Sequence, residues 1–95
     1  MDESTLVDLA ARYVHSVLAI ESVRDGGFFA VYGMEQHRRD AHEELCEALG
    51  VDQEATKEIC LFMDRSIGLP LHEMLDDEEL EKYGKLLIKK LRAIQ

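Results

Sequence analysis

Apolar residues recur at intervals of three and four along most of the chain, the period of helices that bury one face. A first helix is expected from about Ser4 to Arg24. Leu6, Ala10, Tyr13, Val17 and Ile20 form its stripe, and Val7, Val14 and Leu18 widen it. A second runs from about Phe28 to Leu49, with Val31, Met34, Ala41, Leu45 and Leu49 facing inward. Arg38 falls on that stripe, either snorkelling to solvent or gripping an acid. A third helix is expected from Asp52 to about Ser66, with Ala55, Ile59, Phe62 and Met63 on one face and Ile67 nearby. A fourth follows Asp76, with Leu80, Tyr83, Leu87, Leu91 and Ile94 inside and Leu86 and Ile88 beside them.

The breaks between these segments have chemical causes. The Asp25-Gly26-Gly27 triplet permits a sharp reversal. Gly50 sits where a helix ends in the left-handed conformation, and Asp52 then caps the next helix. Gly68 stops the third helix and Pro70 prevents its resumption. Asp76, followed by Glu79 at the third position, makes a capping box with Asp in place of Ser or Thr. Acids crowd the start of the fourth helix and Lys85, Lys89, Lys90 and Arg92 its end, in the order the helix dipole favours. Gly84 inside that helix costs about 1 kcal/mol relative to Ala, and a close helix crossing would explain it. Four amphipathic segments with short connectors predict an all-α bundle, a single domain spanning residues 1–95. The breadth of apolar surface on the first and fourth helices points to closure by homodimerisation.

Composition narrows the function more than the fold. The chain has 95 residues and a net charge of −9. That charge opposes binding to phosphate backbones and anionic lipid, keeps a small domain soluble, and invites a basic partner. No apolar run approaches a membrane span and the N-terminus lacks a basic leader, so a cytoplasmic location is expected. The two cysteines, Cys46 and Cys60, are too few for a disulfide scaffold and read as half-buried thiols.

Three constellations carry possible chemistry. The Leu45–Ile59 stretch reads as helix, glycine stop, aspartate cap and helix, which resembles the bihelical core of helix-turn-helix DNA-binding proteins. That resemblance implies a recognition helix opening with Gln53, Glu54, Lys57 and Glu58. Two of these four are acidic, the wrong sign for phosphates and most base edges, so nucleic acid is a disfavoured partner. His42 and Cys46 stand four apart on one helix face, and Cys60 with His72 would complete a tetrahedral metal set. Glu44 and Glu47 lie one turn apart, as do Glu73 and Asp76. Two such acidic pairs on facing helices suit Mg²⁺ and a substrate phosphate. The arrangement is similar to the motif of all-helical nucleotide pyrophosphatases of the MazG type, and that resemblance implies a Mg²⁺-dependent enzyme.

No nucleophile elbow or phosphate loop is present. Cys46 is surrounded by Glu43, Glu44 and Glu47, which disfavour a thiolate. The reading these features favour is a non-enzymatic, cofactor-free helical regulatory or adaptor protein that acts by protein contact. The DNA-linked regulator is the alternative and the Mg²⁺ enzyme the second. Candidate contact residues are Phe28, Phe29, Tyr32, Leu69 and Leu71.

Overall fold

The computed structural model describes residues 2–23, 28–71 and 73–94, and only the backbone of 23 and 28–32. It is all-α: α1 (Glu3–Val23), α2 (Phe28–Leu49), α3 (Gln53–Leu61), α4 (Met63–Ser66) and α5 (Asp77–Arg92). The expected bounds of the first, second and fourth helices hold to within a residue at most ends. The third is corrected: it breaks at Phe62, whose φ of −115° and ψ of 45° leave the helical region. The chain resumes for one turn as Arg65 and Ser66 donate their amides to the Phe62 carbonyl.

Capping follows the sequence closely. The Gly50 amide bonds to the Glu47 carbonyl and the Val51 amide to the Cys46 carbonyl, with Gly50 at φ 69°. This is the paired closure that a left-handed C′ glycine makes possible. The Asp52 carboxylate accepts from the Glu54 amide at 2.8 Å, and that of Asp76 from the Glu79 amide at 2.8 Å.

α1 is the hub of the bundle, packing chiefly on α5 and α2. Leu6, Val7, Leu9, Ala10, Tyr13 and Val14 of α1 share one core cluster with Leu45 of α2 and with Leu87, Ile88 and Leu91 of α5. Full burial of each leucine removes about 1.5–3 kcal/mol of apolar exposure from water. At the α1–α5 crossing, a Cβ added to Gly84 would lie 3.0 Å from the Ala11 amide nitrogen and 3.3 Å from both Ala10 Cβ and the Val7 carbonyl. The glycine therefore offsets its helix penalty by letting two backbones meet. α1 and α5 hide most of each other's apolar surface. Of the breadth expected to drive dimerisation, Leu86 on α5 and Ile94 just beyond its end remain partly exposed. No helix among the described residues is long and apolar enough to cross a membrane.

α3 lies rotated from the expected orientation. Thr56, Cys60 and Met63 are its buried positions and those of the turn that follows, while Ala55 is exposed and Phe62 is 43% exposed. Thr56, Cys60 and Met63 are spaced four and three apart, an internally consistent helix face. An apolar pattern misses it because its first member is a hydroxyl.

A candidate contact site at the α2–α3 cleft

Thr56 enters the core because its hydroxyl is satisfied there. Its Oγ1 lies 3.1 Å from the Gln53 carbonyl and 3.2 Å from the Asp52 carbonyl, within its own helix. The same oxygen lies 3.1 Å from His42 Nε2 and 3.4 Å from Cys46 Sγ. A hydroxyl has one hydrogen and two lone pairs, and a carbonyl can only accept. With the hydrogen directed to the backbone, the two lone pairs are open to His42 Nε2–H and the Cys46 thiol. Burial, then the nearby Arg38 charge, lowers the His42 pKa against the opposing pull of Glu54, which favours the neutral ring.

Tyr13, fully buried on α1, ties the same seam to α3 and α2. Its hydroxyl donates to the Cys60 carbonyl at 3.4 Å and accepts from Arg38 Nη1 at 3.3 Å. The Tyr13 and His42 rings lie 5.7 Å apart, tilted by 47°. Arg38 also grips Glu35 at 2.8 Å, with its side chain 18% exposed. Of the two readings open for this arginine, the acid-gripping one is observed, and the acid is its own helix neighbour. Burial depresses the Arg38 pKa, but the hydrogen bonds to Glu35 and Tyr13 outweigh it and keep the guanidinium charged. Among the described residues, every buried side-chain nitrogen and oxygen has a partner.

Burial, reinforced by the nearby Cys46, pushes the Cys60 thiol up to about 12. Burial also raises Cys46, against the lowering bond from Thr56. Both groups remain thiols near neutral pH, where a nucleophile or a metal ligand has to be a thiolate.

Facing solvent on this seam is a cleft of roughly 360 Å³ between α2 and α3. Arg38, Arg39 and Lys57 line it against the single acid Glu54, with His42 and Leu61 completing the wall. Arg39 and Lys57 have no ion-pair partner among the described residues. A smaller depression of roughly 120 Å³, toward α1, shares Arg38, Cys60 and Leu61. Leu61 is 52% exposed, and the adjacent Phe62 carries the Arg65 guanidinium 5.3 Å from its ring centroid. Two large apolar side chains therefore stand out of the helix break, beside a cleft lined by three cations and one acid.

The structure gathers some of the sequence candidates and separates others. His42 and Cys46 do converge, but on Thr56. Glu44 and Glu47 are exposed on α2 and Glu73 on the connector, while Asp76 caps α5. No group of three or more His, Cys, Asp or Glu side chains is placed to hold a metal among the described residues. His72 lies outside those residues, as do the side chains of Phe28, Phe29 and Tyr32. Leu69, a candidate contact residue on a connector whose leucines were also expected to lie over the core, is a core residue at 3% exposure. Leu71 is half-buried against the same core. Leu61, Phe62, Arg39 and Lys57 were not among the expected contact residues. The exposure of Leu61 and Phe62 follows from the rotation of α3 and its break, which an apolar count does not reveal. The chain matches no family model, no curated protein and no solved structure.

Proposed function

We propose that this chain is a non-enzymatic helical regulatory protein that acts by protein–protein contact through the end of α3. The observation that carries this reading is the exposure of Leu61 and Phe62, at 52% and 43%, beside an arginine- and lysine-lined cleft. Arginine and aromatic side chains with apolar neighbours supply most of the binding energy at protein interfaces. The groups best suited to chemistry are occupied with structure. Burial raises both thiol pKa values, the Thr56 hydroxyl lies against its own backbone carbonyls, and His42 Nε2 lies in hydrogen-bond contact with Thr56.

The test is a photo-crosslinking amino acid placed at position 62 in cells, with the same group at exposed Glu44 as control. A discrete adduct at 62, weakened when Leu61→Asp is added, supports the reading. No adduct at 62 beyond that at 44, from a chain that retains its helical circular dichroism, overturns it.

A further inference from the structure

The molecule carries both halves of a complementary contact. The first half is the α2–α3 cleft, where Arg39 and Lys57 flank the half-exposed Leu61. The second is the strip that leads into the first residue of α5. There Met74 is 100% exposed, and Glu73, Asp76 and Asp77 around it are exposed acids. An apolar anchor inside an acidic strip matches an apolar wall inside a cationic cleft in both shape class and sign. We propose that the chain self-associates by seating the 73–77 strip of one copy in the α2–α3 cleft of another, with Met74 against Leu61 and Glu73 and Asp77 against Arg39 and Lys57. The proposal rests on the contact-protein reading above and names a second copy as an occupant of that site.

A second copy is the natural occupant on electrostatic grounds. Each copy carries −9 overall, so two copies repel at long range. At an ionic strength near 0.15 M that repulsion fades beyond about 8 Å, while pairs in contact keep their attraction. Attraction between copies therefore requires a surface where the local sign reverses, and the α2–α3 cleft is such a surface. Association is strongest at intermediate salt, weakened below by whole-molecule repulsion and above by screening of the contact pairs.

Because the two patches differ, charge exchange tests the contact directly. Two double variants are needed, E73K/D77K and R39E/K57E, each first shown to keep its helical circular dichroism. Sedimentation velocity over a wide concentration range is the readout. The native chain is expected to rise above the monomer mass with concentration, and each variant alone to stay monomeric. Their mixture is expected to associate again, since every strip then meets a cleft of opposite sign. A native chain that stays monomeric overturns the proposal, as does a variant that associates alone or a mixture that does not. If the native chain is monomeric while position 62 still crosslinks to a different protein, self-association fails and the contact-protein reading survives. If neither occurs, both fail.

Discussion

The α1–α5 crossing and the α2–α3 seam are two ways of holding one small bundle together. At the crossing, Gly84 brings backbone against backbone, and Leu87, Ile88 and Leu91 fill the apolar layer around it. At the seam, helices meet through Tyr13, Arg38, His42, Cys46 and Thr56, each bonded to another and several reaching solvent at the cleft. The crossing is apolar and tight at Gly84. The seam is polar and partly solvent-exposed. The contrast separates the part of the molecule that maintains the fold from the part that faces outward with charge and exposed apolar groups.

The sharpest way to break that contrast is to make the same kind of change on both sides of it. Leu87→Ala removes a side chain with 0% exposure and should cost about 2–5 kcal/mol, the range for buried leucines. Urea unfolding reads this as a lower midpoint at an unchanged slope. Gly84→Ala comes next. Overpacking against the Ala11 amide costs about 1–3 kcal/mol, of which helix propensity returns about 1 kcal/mol. Gly33→Ala on α2 is its mirror, since nothing lies within 4 Å of the added Cβ. It should stabilise by about 0.4–1 kcal/mol. If Gly84→Ala raises the midpoint as Gly33→Ala does, the crossing is not the tight contact described.

The smallest effect belongs to the seam and is read by pH. The His42 pKa is lowered in the folded state, so below the unfolded value of about 6.5 the unfolded chain binds the extra proton first. Stability from this group is complete above that pH and declines as pH falls through it toward the folded pKa. His42→Gln should remove the slope in that window. A slope that persists unchanged in the variant would assign it to other groups.

Much of the fold was legible because it rests on local chemistry. The Gly50 stop and the Asp52 and Asp76 caps can be read from a few neighbouring residues, whereas the close crossing that Gly84 serves is made with Val7, Ala10 and Ala11 on a distant helix. Orientation was harder. α3 turns a threonine inward, because a hydroxyl satisfied by its own helix and a histidine can replace a methyl group in a core. No tally of apolar positions predicts that exchange. The metal spacing of His42 and Cys46 placed the two side chains together but left their partner open. Four residues apart on a helix fits a shared ligand and a shared threonine equally well. Leu69 left two readings open for a related reason: a connector leucine beside a proline is greasy whether it covers the core or faces a partner.

The hub position of α1 also affects how the chain is made. Synthesis runs from the N-terminus, so α1 emerges well before α5, one of its two main packing partners. Glu3 and Arg92, bonded through two contacts of 3.1 Å, are among the last groups able to meet. On the ribosome, then, the apolar face of α1 is only partly sheltered by α2 until α5 emerges. During that interval Leu6, Val7 and Ala10 lack the α5 surface that covers them in the finished bundle.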